Sequence, residues 1–285
     1  MRKIYQKAII MLSVACMGYA TPAFAADAVV KTNKAWLSGA THIHGRMTVS
    51  GITSSNIKEK GFCYSSVNQM PTVEDGTSKI YLSNQGEIYN ISKLEPATVY
   101  YIRAYVKQTN GDVVYGDPVK AITRPKGGVT YNINDGFPSD ALTRVQSAAK
   151  DAIDLWNEYT GIHGLHITIN YGAQTPTADC SYGGWMRVGP NASYQKTGTL
   201  LHEMLHAIGV GTHAIWQNSF LRANTTSVYW LGLRSTRALR FLDNSTTVRL
   251  NGDGTHMWPF GVKGAQEDYG TQILFVVNSL LAEAV

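Results

Sequence analysis

Thr199-Leu200-Leu201-His202-Glu203-Met204-Leu205-His206-Ala207-Ile208-Gly209-Val210-Gly211-Thr212-His213 decides how the C-terminal half of the chain is read. Leu200, Leu201, Met204, Leu205 and Ile208 recur at helical spacing, which predicts a helix with a buried face. On that helix His202 and His206 stand four residues apart, so both imidazoles leave one face, a turn apart, and can hold a single Zn²⁺. Glu203 lies beside the first of them, where its carboxylate can take a proton from a water at the metal and later hand it to a leaving amine. Composition alone would give about 0.006 such HExxH matches in a chain of this size. Gly209 can leave the helix through a left-handed turn. A turn there returns the chain to the metal and makes His213 a third ligand, extending the pattern to HExxHxxGxxxH.

Working outward, Leu142, Val145, Ala149, Ile153 and Trp156 repeat at helical spacing between Pro138 and Thr160-Gly161, with Ser139 as the expected N-cap. Leu165 to Tyr171 alternates as a strand, an edge strand is expected at Trp185 to Val188, and a last helix runs from about Thr271 to Ala284 on the stripe Ile273, Leu274, Val277, Leu280, Leu281. Long helix, strands, zinc helix, glycine turn and final helix together resemble the catalytic domain of the metzincin clan of zinc metallopeptidases. That resemblance implies an α+β zincin domain over 129–285 carrying one Zn²⁺ per chain on His202, His206 and His213. It also implies Glu203 as general base, a protein or glycoprotein substrate, and a Met-turn under the metal, for which Met257 is the candidate. Two departures stand out. His213 falls one residue later than the usual HExxHxxGxxH, a spacing more like that of archaemetzincins, whose second zinc is Cys-bound, whereas this half offers Cys180 alone; and no Tyr stands two residues after Met257. The aromatic, turn-rich segment Gly252-Asp253-Gly254-Thr255-His256-Met257-Trp258-Pro259-Phe260-Gly261, similar to one in secreted zincin-like proteins, supplies His256 as the alternative third ligand.

The N-terminal half has a different period. Gly61-Phe62-Cys63-Tyr64, Lys79-Ile80-Tyr81-Leu82 and Glu87-Ile88-Tyr89-Asn90-Ile91 alternate as short strands between turn residues. Leu94-Glu95-Pro96 forms a corner before the strand Val99 to Tyr105, and Asn110-Gly111 turns the hairpin that follows. The corner and Tyr100 resemble the tyrosine corner of a fibronectin type III domain. An all-β sandwich over 27–124 is therefore expected, joined by the linker 125–128 and serving as a spacer. His42 and His44 share a strand face expected to be solvated, and His163 and His166 read as structural. Tyr269 reads as packing rather than as an oxyanion contact.

Of 285 residues, 44% are hydrophobic and 16% charged, which excludes disordered and coiled-coil classes. The net charge of +5 is concentrated at the start. Arg2, Lys3 and Lys7 precede an apolar run from Ile9 to Met17 and the triplet Ala23-Phe24-Ala25, the pattern of a secretory signal over 1–25. Removing it leaves 22 basic against 20 acidic residues, too even a balance for a nucleic-acid partner. Export to the extracellular space, periplasm or cell surface is expected, with membrane attachment only through lipidation at Cys16, and the chain is expected to be a monomer. Cys63 and Cys180 form no disulfide framework. A second function class remains: a non-catalytic, zinc-containing protein presenting Trp185, Trp216, Trp230 and Trp258 as platforms for glycans or proteins.

Overall fold

The computed structural model describes residues 27–34, 37–80, 89–217, 229–242, 245–258 and 272–285. The expected signal segment, Cys16, Tyr81, Leu82 and Tyr269 lie outside these residues.

The N-terminal half is antiparallel throughout. Its strands are β1 (Val29–Thr32), β2 (Leu37–Ser38), β3 (Ile43–Gly45), β4 (Met47–Ser50), β5 (Ile57–Ser65), β6 (Gly76–Ile80), β7 (Tyr89–Ile91), β8 (Val99–Gln108), β9 (Val113–Tyr115) and β10 (Val119–Ile122). They form a β1-β4 pair, a β2-β3-β7 sheet, and a five-stranded sheet in the order β10-β8-β5-β6 with β9 also on β8. Strict alternation in β1, β4 and β7 sends every second side chain into one core, built on Ile43, Phe62, Ile91, Ile102, Ala104 and Val106. The corner before β8 closes as its residues imply: the backbone N–H of Glu95 donates to the hydroxyl of buried Tyr100 at 2.9 Å. The next hairpin turns at Gly111, whose φ of +101° suits glycine. Cys63 and Cys180 are free and buried.

The C-terminal half mixes helix and sheet. Its strands are β11 (Gly128–Ile133), β12 (His163–Tyr171), β13 (Ala178–Cys180), β14 (Trp185–Val188), β15 (Asn251–Gly252) and β16 (Met257–Trp258). Its helices are α1 (Ser139–Tyr159), α2 (Thr197–Ala207), α3 (Ala214–Gln217), α4 (Leu233–Leu242) and α5 (Gln272–Ala284). The main sheet runs β11-β12-β14-β13, parallel except for β13. The expectation of an edge strand at Trp185 to Val188 is therefore corrected: β14 lies inside the sheet, and the antiparallel edge is β13, whose short Ala-Asp-Cys sequence carries no alternating pattern to announce it. The N-cap expectation is corrected as well. Pro138 holds that place and Ser139 is the first helical residue, with no side-chain cap bond.

One apolar face of α1, including Val145, Ala149, Ile153 and Trp156, packs with Ile167, Ile169, Met186 and Val188 of the sheet and with Leu200, Leu201 and Met204 of α2. The second helix is enclosed on all sides, every residue from Gly198 to Ala207 being buried. Among the described residues no helix is long and apolar enough to cross a membrane.

The two halves meet through α1, and here the solvated reading of His42 and His44 fails. His42 Nδ1 lies 2.7 Å from Glu158 Oε1, and the backbone N–H and hydroxyl of Thr41 donate to the same carboxylate at 2.7 and 2.9 Å. Burial alone would raise the Glu158 pKa, but the hydrogen bonds from His42 and Thr41 outweigh it and hold the carboxyl below its ordinary value. His44 Nε2 lies 3.0 Å from the Tyr159 hydroxyl. Arg124, beside the expected linker, pairs with Glu283 of α5, and Leu37 packs with Tyr159, Val276 and Leu280.

Tyr100→Phe removes only the hydroxyl that closes the corner, so it is expected to cost about 1 kcal/mol, the net worth of one such bond. Urea unfolding reads this directly, and an unchanged midpoint would show that the corner bond contributes nothing.

Candidate metal centre

The site begins with the confinement of α2. A helix buried on every side sends even its polar residues into the interior, and His202, Glu203 and His206 are all less than 10% exposed. The two imidazoles stand one turn apart with ring centroids 5.0 Å from each other. His206 Nδ1 lies 2.7 Å from the carbonyl oxygen of Val210, which can only accept, so Nδ1 carries the proton and Nε2 is left bare. Burial lowers the His206 pKa and favours the neutral ring that a metal ligand needs.

Past His206 the chain turns sharply. Gly209 and Gly211 have φ of +115° and +73°, the left-handed region that side chains avoid. Gly211 has a second reason to be glycine: a Cβ there would lie 2.2 Å from the carbonyl oxygen of Thr255. The turn is thus pressed against the segment that bears His256. Two residues of α3, which follows it, hold that segment. The Trp216 indole N–H donates to the carbonyl of Asp253 at 3.1 Å, and the Gln217 amide donates to the carbonyl of Gly254. Trp216 is itself fixed by stacking on Trp230 at 4.9 Å.

His202, His206 and His256 are thereby brought together, each offering a ring nitrogen within 4.8 Å of the others. Nitrogens about 2.1 Å from one tetrahedral Zn²⁺ would lie roughly 3.4 Å apart, so small side-chain rotations fit the group to an ion. His213 is not in the group. Its Nδ1 accepts the N–H of Ile215 at 3.2 Å, at the head of α3, and its ring packs on Tyr182 at 4.7 Å. Met257 follows His256 in β16 and is buried in the core.

Glu203 completes the site. Its Oε2 is buried with no hydrogen-bond partner and lies 4.0 Å from His206 Nε2. Burial first, and the nearby charge of Asp179 second, push its pKa up to about 8. A buried carboxyl with one oxygen left without a hydrogen-bond partner, next to three imidazoles, is the arrangement a cation would relieve.

Sequence reasoning named each of these residues and missed their supports. Asp253, Trp216 and Gln217 give no local signal, because their partners lie across the turn. Of the four Trp considered as platforms, Trp216 and Trp230 are buried, while Trp185 and Trp258 are 48% and 46% exposed. His166 is satisfied by Thr130 and Asn132, as a structural histidine should be.

In the metal-free protein Glu203 binds a proton more tightly than in the unfolded chain. Its contribution to stability is then complete below about pH 4.5 and is lost as pH rises through about 8. Glu203→Gln is expected to flatten that decline by a few kcal/mol between these limits. Denaturant midpoints of chelator-treated wild type and variant at pH 5 and pH 8.5 measure it; parallel pH profiles would contradict the assignment.

No protein-family model and no curated protein matches the sequence. Among solved structures, the chain is similar to the sixth fibronectin type III domain of human fibronectin type III domain containing protein 3, at 21% identity and a TM-score of 0.25, over 38% of this chain and 88% of that one. It is also similar to the family 28 exopolygalacturonase of Yersinia enterocolitica, at 11% identity and a TM-score of 0.27, over 50% of this chain and 28% of that one. A third likeness, to the vertebrate-specific, perforin-like membrane protein Astrotactin-2, has 14% identity and a TM-score of 0.25, over 77% of this chain and 37% of that one. The chain spans well under half of the latter two, and likenesses at these TM-scores assign neither a fold nor an activity.

Proposed function

We propose that this chain is an exported zinc-dependent metalloendopeptidase, with a fibronectin type III-like N-terminal domain and a metzincin-like zincin domain. The observation that carries the reading is the group of three imidazoles with a buried carboxyl at its side, one oxygen of which has no hydrogen-bond partner. His202, His206 and His256 would hold the ion, one per chain, and His213 would serve the turn rather than the metal. Zn²⁺, when bound there, supplies a Lewis acid that polarises a peptide carbonyl and acidifies a water.

The remaining work falls to the protein. His206 keeps Nε2 available because Val210 claims the proton on Nδ1. Glu203 takes the proton from the attacking water and returns it to the leaving amine, so no covalent intermediate is needed. The enclosure of α2 keeps the carboxylate from bulk water, where its interaction with developing charge would be screened. The rival reading, a glycan-binding surface protein, loses two of its four aromatic platforms to the Trp216–Trp230 stack.

Elemental analysis of zinc per chain and a peptide-library screen test the proposal together. Wild type, His213→Ala and Glu203→Gln are expected to hold about one zinc, and His256→Ala to lose it. Glu203→Gln should lose at least about 100-fold in turnover, the usual contribution of a positioned general base. A zinc-free wild type, or undiminished turnover in Glu203→Gln, would overturn the reading.

A further inference from the structure

Asp253 has no place in the pattern that led to the site, yet its side chain is more fully engaged than those of its neighbours in the loop. Oδ1 accepts the backbone N–H of Thr255 at 2.7 Å and of His256 at 2.6 Å, while Oδ2 lies 3.3 Å from His256 Nδ1. Both carboxylate oxygens are thereby engaged, one by the backbone of the loop and the other facing the His256 ring. The residue is fixed from behind as well. Its carbonyl accepts from the Trp216 indole, and its N–H donates to the His256 carbonyl at 3.0 Å.

A carboxylate accepts hydrogen bonds and cannot donate them, so an imidazole nitrogen facing it is the one that bears the proton. We propose that Asp253 is a positioning residue of the metal centre: its carboxylate fixes the Nδ1–H form of His256 and leaves Nε2 to face His202 and His206. The inference rests on His256 being the third ligand. It gives the site a symmetry of means. The lone pair of His206 is freed by a backbone carbonyl on its own turn, and that of His256 by a carboxylate three residues before it. Carboxylate and carbonyl partners of this kind raise a ligand's basicity and fix its ring plane, and their loss usually costs 10- to 100-fold in metal affinity.

The test is Asp253→Asn, read by nitrogen NMR and by metal affinity on the full chain. In the variant the side-chain oxygen still accepts the two backbone N–H groups, but an NH₂ now faces Nδ1 and forces the proton to the other ring nitrogen. Long-range proton–nitrogen correlation of ¹⁵N-histidine-labelled, metal-free protein should show Nδ1–H on His256 in wild type and Nε2–H in the variant. Competition for Zn²⁺ with a chromophoric chelator should show affinity about 10- to 100-fold weaker. The proposal falls if wild-type His256 carries its proton on Nε2, a measurement that requires no variant. It falls equally if Asp253→Asn weakens zinc while keeping Nδ1–H, which would mark a loop-shaping role alone, or if it binds zinc like wild type. His256→Ala, run alongside, separates the two levels: tight zinc binding there removes the ligand assignment itself, whatever Asp253 does.

Discussion

The close approach of Gly211 to Thr255 is the constraint on which the centre depends. Backbone pressed on backbone leaves no room for a side chain, so position 211 accepts only glycine, and the positive φ imposes the same choice again. From that contact the rest follows in order. The turn sets the start of α3, α3 aims Trp216 and Gln217, and these two hold the short hairpin β15-β16 whose connection carries His256. Helix α2 contributes two imidazoles by simple periodicity, whereas the third is delivered by a chain of tertiary contacts.

The energetics of α2 run against its own stability. A helix that buries a carboxyl oxygen without a hydrogen-bond partner is less stable than an apolar one would be, and the surrounding core must offset this. That core is substantial: Trp156, Ile167, Ile169, Met186, Leu200, Leu201 and Met204 are all almost fully excluded from solvent. The bulk of the C-terminal core, not the site, makes a buried oxygen without a partner tolerable, and a cation bound there would turn that cost into binding energy.

Much of this was legible in the sequence, and the parts that were not share a cause. The α2 helix, the long helix before it, the final helix and the tyrosine corner are written in local periodicity or in a short motif, and each appears where its residues placed it. His256 could be named as a candidate but not chosen over His213, because which of the two joins His202 and His206 lies in a contact between two loops. Strand order escaped for a similar reason, since Ala178–Cys180 is too short to show a pattern and becomes an edge only by pairing with β14. His42 and His44 looked solvated because the group that claims His42 lies 116 residues further along, on α1.

That last contact bears on where one unit of this protein ends and the next begins. A cut at the Pro125-Lys126-Gly127-Gly128 joint falls between two sequence patterns, but it does not fall between two independent bodies. It would strip Glu158 of the Thr41 and His42 hydrogen bonds it holds across the junction, take Arg124 from Glu283, and uncover the apolar faces of Tyr159, Val276 and Leu280. The N-terminal half therefore acts as the missing wall of its neighbour. Helix α1 packs against the histidine-bearing α2 on one side and is anchored to the β-rich half at its far end, so it touches both halves at once.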